Sequence, residues 1–255
     1  MANVAPRHML RRHTQRLLVG CTATVMAVVG LSYAPSARGE ESVPTVVALW
    51  HMEELEGTPT ATDASGFGND GVVSPDVVQG IDGYQGQGYE FTGPAPIVKV
   101  PNGKGSLNPG ASPLLISARL KVPADLVPGD YNVIQKGTAT AKGGAYKLEM
   151  FAPLALTNKK WGFPRCAVNS SATATDIKRK NHAYGPYRIN DGQWHLVECR
   201  LTATSLTVIV DGDSGATVPR TVGPISNSVG LTLGGKPNNT HYFNGALDEA
   251  SITIG

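Results

Sequence analysis

Few residues in this 255-residue sequence are placed to do covalent chemistry. Ser214, within Gly212-Asp213-Ser214-Gly215, offers a hydroxyl among small residues. A serine nucleophile needs a histidine base that is itself oriented by a carboxylate. The candidates His51, His182 and His241 have no nameable partner, and His195, just after Trp194, reads as a structural histidine bonded to a loop. Retaining glycoside cleavage needs two carboxylates about 5 Å apart. Glu53-Glu54 and Asp248-Glu249 are adjacent pairs, and neighbours on a strand face opposite ways. Distant pairings such as Glu149 with Glu198 are set only by the fold. Asp211-Gly212 reads as the turn of a hairpin, which accounts for Ser214 without a nucleophilic role.

Non-covalent recognition has more material. Sugar binding asks for exposed aromatic rings beside amide and acid side chains. Trp161, Tyr184, Tyr187 and Tyr242 fall in or beside loop-like stretches, and Tyr242 follows the polar run Asn238-Asn239-Thr240-His241. Trp161, Tyr184, Tyr187, Tyr242 and Asn239 are therefore the candidate ligand-binding residues, although an exposed ring can also simply cover a loop.

The elements that must hold these residues are strands. In Leu114–Val122, Leu114, Ile116, Ala118, Leu120 and Val122 share one face, and polar residues dominate the other. Leu206, Val208 and Val210 alternate in the same way, as do His195, Val197, Cys199 and Leu201. A period of two marks strands with one face on a core. Further strands are expected at Val46–Met52, Gly88–Phe91, Ile97–Val100, Tyr131–Lys136, Tyr146–Phe151, Trp161–Val168, Gly230–Leu233 and Ala246–Ile254. Turn-formers such as Asp82-Gly83, Pro101-Asn102-Gly103, Asn190-Asp191-Gly192 and Asp211-Gly212 separate them. No stretch has the 3.6 period of a long amphipathic helix. Many short strands with such turns mean an all-β sandwich or jelly roll.

Residues 1–37 are set aside from the fold. Arg7, Arg11, Arg12 and Arg16 precede an apolar run, Leu17–Leu31, and small residues around Ala34-Pro35-Ser36-Ala37 follow, the order of a secretory signal peptide. Residues 38–44 are a short linker, and 45–255 form one domain. The apolar run is shorter than the ~20 residues of a membrane span, so the mature chain is expected to be secreted and to lack a span. A membrane anchor, and a lipoprotein joined through Cys21, are the alternatives. The whole chain carries 22 basic and 20 acidic residues. The first 37 hold four arginines and no acid, so the remainder has 18 against 20, a net −2. That balance gives no electrostatic case for nucleic acid, and Lys178-Arg179-Lys180 reads as a solvated loop. With Cys21 removed, Cys166 and Cys199 remain, an even pair that reads as one disulfide in an oxidising compartment.

Three separated segments carry a resemblance. The first runs from Ala48-Leu49-Trp50-His51 to Asp63-Ala64-Ser65-Gly66, with Gly68-Asn69-Asp70-Gly71 just after it. The second joins Asn190-Asp191-Gly192-Gln193-Trp194-His195 to the Val-Asp-Gly at 210–212. The third is Phe243-Asn244-Gly245-Ala246-Leu247-Asp248-Glu249. Together, in this order, they resemble the bacterial laminin G-like, concanavalin A-like domains over about residues 45–255. The resemblance implies a two-sheet antiparallel jelly-roll sandwich whose first and last strands pair. It also implies a binding module rather than an enzyme, with a glycan or an extracellular protein as partner. Glycan cleavage is the remaining alternative, although the Glu-x-Asp-x-x-Glu strand of the related glucanases is absent. The Gly-Asp-Ser-Gly run resembles a chymotrypsin-like nucleophile segment, but no histidine has the matching Ala-Ala-His-Cys setting and Ala216 replaces the second glycine. Relatives of this kind include Ca²⁺ binders, which makes Asp63, Asn69, Asp70 and Asp248 candidate metal ligands; the same side chains could equally cap turns.

Overall fold

A computed structural model describes residues 43–127, 129–152, 162–170 and 180–255. The expected signal peptide, most of the expected linker, Trp161 and Lys178-Arg179 lie outside the described residues.

The described residues form two antiparallel sheets and no helix. The nine-stranded sheet runs β14 (Asp213–Ser214), β13 (Ser205–Val210), β12 (Trp194–Leu201), β7 (Leu114–Lys121), β17 (Ala246–Ile254), β5 (Gln87–Glu90) and β4 (Val78–Asp82). In addition, β1 (Thr45–Trp50) pairs with β17, and β15 (Val218–Pro219) with β13. The eight-stranded sheet runs β11 (Lys180–Tyr184), β10 (Phe163–Asn169), β9 (Ala145–Ala152), β8 (Gly129–Lys136), β16 (Leu231–Leu233), β6 (Val98–Val100), β3 (Gly71–Val73) and β2 (Thr60–Ala61). All eleven strands expected from the alternation are present, with ends that match or shift by one or two residues. The short β2, β3, β4, β14 and β15 and the edge strand β11 are additional.

The core lies between the sheets. Leu114, Ile116, Ala118 and Leu120 of β7 are buried at alternate positions, as are Val197, Cys199 and Leu201 of β12. From the other sheet come Tyr146, Leu148 and Met150 of β9 and Cys166 and Val168 of β10. Cys166 and Cys199 are joined, with Cα atoms 5.8 Å apart, so the disulfide ties β10 of one sheet to β12 of the other.

First and last strands pair, Thr45 with Ile254 through Trp50 with Ala250. The last strand changes partner along its length. Ala246 and Leu247 pair with β5, and from Ala250 on the strand pairs with β1. A bulge between Asp248 and Ser251, with Glu249 at φ 48°, makes the handover. A bulge adds twist and redirects a strand without ending it.

Lys136 ends β8 on the core side, with no exposed surface. Its Nζ donates to the Asn227 carbonyl and side chain and to the Val229 carbonyl. Burial away from water pushes its pKa down to about 8. Asn227 in turn donates to the Gly144 carbonyl, which fixes the β8–β9 loop. Gly143 and Gly144 have positive φ, and a Cβ there would overlap the carbonyl oxygens of Ser226 and Asn169 respectively, so the close fit of this loop requires glycine.

Candidate functional site

On β9 the inward residues are Tyr146, Leu148 and Met150, which sends Lys147, Glu149 and Phe151 to the outer face of the eight-stranded sheet. Strand register then builds two rows across that face. In one, Gln135 of β8 lies opposite Lys147, Lys147 opposite Ala167, and Ala167 opposite His182. In the other, Asn132, Glu149, Arg165 and Tyr184 follow in line. Asn132 and Gln135 are three apart and would face opposite ways on a regular strand. The bulge between Asn132 and Ile134 puts both on the outer face. Tyr242 joins the second row through a parallel bridge to Asn132.

A cavity of about 430 Å³ opens on this face. Gln135, Lys147, Arg165, Asn169, His182 and Lys236 are among its lining residues. Glu149 lies beneath it with no exposed surface. Arg165 Nε donates to Glu149 Oε1 at 2.5 Å, and Lys147 Nζ pairs with Oε2. The guanidinium sits 4.3 Å from the Phe151 ring centre and 5.8 Å from that of Tyr184. The two rings meet edge to face at 5.4 Å. Burial works against the charge of Arg165, but Glu149 and Tyr184 outweigh it and hold its pKa above the ordinary guanidinium value. Two buried amides on this face have atoms without a protein partner: Gln135 Oε1, and both polar atoms of the Asn132 side chain. Buried polar atoms are nearly always hydrogen-bonded, so such exceptions call for a reason.

The candidate ligand-binding residues divide. Tyr184 and Tyr242 belong to this face. Asn239 stands beside it, accepting from Tyr242 Oη at 2.8 Å through its carbonyl. Tyr187 does not: its ring packs against the core and its hydroxyl donates to the Val210 carbonyl at 3.1 Å. A ring that follows Gly185-Pro186 in the sequence turns inward, which corrects its reading as exposed. Trp161 falls outside the described residues. Gln135, Lys147, Arg165 and Asn132 were not singled out by the sequence. The signal for Lys147 and Glu149 was available, because they alternate with the apolar Tyr146, Leu148 and Met150.

The candidate calcium ligands are engaged in hydrogen bonds within the protein. Asp63 accepts from the Leu49, Ser65 and Asn69 amides and from the Ser65 hydroxyl. Desolvation raises its pKa, and these donors outweigh it and leave the pKa lowered. Asp70 accepts from the Asp63 amide at 2.7 Å. The Asn69 side chain is spent on Val47 and Ser106. Asp248 accepts from the Tyr84, Gln85 and Glu249 amides, and burial holds its pKa up. N–H donors point positive ends at the lone pairs that Ca²⁺ would need. Among the described residues no three His, Cys, Asp or Glu side chains converge as a metal set.

The candidate catalytic groups are dispersed. Glu149 and Glu198 lie on the outer faces of different sheets. Asp211 at φ 49° and Gly212 at φ 92° form the turn between β13 and β14, which places Ser214 on a hairpin. Both ring nitrogens of His195 are engaged, Nδ1 with Asp211 at 2.6 Å and Nε2 with Asp191 at 3.1 Å. No described helix is long and apolar enough to cross a membrane.

A family model described as the concanavalin A-like lectin/glucanases superfamily matches residues 116–253. No curated protein matches this sequence. Solved structures share the fold. The binding domain of Paraclostridial Mosquitocidal Protein 1 has a TM-score of 0.61 at 16% identity, over 82% of this chain and 48% of that one. The botulinum neurotoxin serotype G binding domain gives 0.61 at 10% identity, over 82% and 47%. A structure of botulinum neurotoxin type C, whose cell entry is dependent upon interaction with two ganglioside molecules, gives 0.55 at 12% identity, over 82% and 47%. The chain thus spans about half the length of the structures it matches.

Proposed function

Because this chain belongs to the concanavalin A-like lectin/glucanase superfamily, we propose that it is a secreted, non-catalytic module that binds a glycan on the outer face of its eight-stranded sheet. The observation that carries this reading is Gln135. It is 5% exposed and lines the cavity, and its Oε1 has no partner in the protein. A buried acceptor of this kind matches the hydroxyl donors that cover a sugar, and Tyr184 and Tyr242 supply ring surface along the neighbouring row.

The non-catalytic half of the reading rests on Glu149. It is the carboxylate of the row from Asn132 to Tyr184, and both its oxygens are held by Arg165 and Lys147. A carboxylate clamped by two cations is a poor proton donor, and among the described residues no Asp or Glu lines the cavity. Extracellular action rests on the signal-like residues 1–37 and is consistent with a buried disulfide.

A glycan array on the protein, run beside a reducing-sugar release assay on common polysaccharides, tests both halves. The expected outcome is binding in the micromolar to millimolar range, because a shallow site must first strip water from sugar hydroxyls, with no sugar released. Release at enzymatic rates overturns the non-catalytic half. A blank array together with capture of an extracellular protein overturns the glycan half.

A further inference from the structure

We propose that this cavity selects an acidic glycan, a saccharide carrying carboxylate or sulfate groups. The proposal rests on the glycan reading above and adds a charge requirement at the same site. Lys147, Arg165 and Lys236 line the cavity, and among the described residues no Asp or Glu does. Even with Lys236 set aside, Lys147 and Arg165 share one carboxylate, Glu149. One negative charge cannot neutralise two positive ones, so the floor stays positive. Arg165 is also held in place between Glu149 and the rings of Phe151 and Tyr184. A fixed guanidinium beside an ammonium is suited to carboxylate or sulfate oxygens.

The charge alone would admit any anion. Gln135 narrows the class. Its free Oε1 is an acceptor, which repels an anionic oxygen and needs an O–H or N–H donor. The ligand must therefore present an anionic group and hydroxyl donors a few ångströms apart, as a uronic acid or a sulfated sugar does. The volume, about 430 Å³, lies in the range of small-molecule sites.

The test is calorimetry on the full chain with matched pairs of probes. Oligogalacturonate is compared with its methyl ester, and dextran sulfate with dextran; polyglutamate controls for charge alone. At least one acidic probe is expected to bind about tenfold or more tighter than its neutral partner, and more weakly as salt rises. Which pair discriminates tells carboxylate from sulfate. Lys147→Gln and Lys236→Gln should each weaken that binding by about three- to tenfold, with melting temperature checked to confirm folding. Equal binding of the neutral partners overturns the charge requirement and leaves the glycan reading standing. So does failure of both acidic probes with a positive array. Polyglutamate binding as tightly as the sugars overturns selection of a saccharide. Acidic binding untouched in both folded variants overturns the placement. A blank array and no bound probe overturn this proposal and the glycan reading together.

Discussion

Asp63 and Gln135 are both nearly buried, at 8% and 5% exposure, and they differ in how much of their hydrogen-bonding capacity the protein uses. Asp63 receives four donors, from Leu49, Ser65 (amide and hydroxyl) and Asn69, and closes the turn after β1. Gln135, which lines a cavity, gives its amide to the Gly137 carbonyl at 2.7 Å and leaves its buried Oε1 without a hydrogen-bond partner. Where polar groups are saturated they are architecture. Where one beside a cavity is left without a partner, a ligand can supply it. Asp63 belongs to a motif that marks the family in the sequence, yet the motif marks the fold and not the site.

Breaking the architecture should cost stability and spare binding. The largest effect is expected for the disulfide, which closes a loop of 33 residues between the sheets. Replacing Cys166 and Cys199 together by Ala should lower unfolding free energy by about 3–4 kcal/mol on the chain-entropy account. Glycan affinity should hold below the melting transition, because β-ladder register sets the outer face. Asp63→Ala comes next. It strips the acceptor from several buried amides, for about 2–3 kcal/mol, again with affinity unchanged. Denaturant titration and calorimetry check both. Lost affinity in folded Asp63→Ala would end the division drawn here.

The site should respond in the opposite way. Gln135→Leu removes an unsatisfied acceptor together with one hydrogen bond, so stability should move by no more than about 1 kcal/mol. Glycan affinity should fall about tenfold or more, since the ligand's donor then faces a methyl group. A change in melting temperature with no change in affinity would move Gln135 into the architecture.

Much of the fold was legible because burial on one face writes a period of two. Leu114 to Val122 is the clearest case. The site was less so, for three physical reasons. β11 is an edge strand, and its Lys180-Asn-His-Ala-Tyr184 has no β-branched residue, so it reads as loop although it delivers His182 and Tyr184. Asn132 and Gln135 share a face only through a bulge that no local motif announces. Lys147, Glu149 and Arg165 converge by register between strands, information that exists only once β9 and β10 are paired. The polar run at 238–241 did lead to Tyr242, because a turn rich in amides is visible without any pairing.

The smallest expected effect concerns carboxylates held by a group that titrates. Asp63 is held by amides and a hydroxyl, whereas Asp191 and Asp211 are bridged by His195. Desolvation lowers the His195 pKa, but the hydrogen bonds and charges of Asp211 and Asp191 outweigh it and leave the pKa raised above 6.5. A raised folded-state pKa means that the folded protein holds this proton more tightly than the unfolded chain. The resulting stability is fully present below pH 6.5 and is lost as pH climbs through the folded value. Asp211 and Asp191 are 37% and 53% exposed, so solvent screening should keep the gain near 0.5 kcal/mol. Lys136 has the opposite sign. Its folded pKa of about 8 lies below the ordinary 10.5, so stability rises with pH between those values. A scan from pH 5.5 to 7.5 therefore isolates the histidine. In that window wild type should lose stability with rising pH relative to His195→Gln, and the two curves should run closest at the alkaline end. Parallel curves would mean that the Asp191–His195–Asp211 bridge, like Asp63, is architecture that does not sense protons.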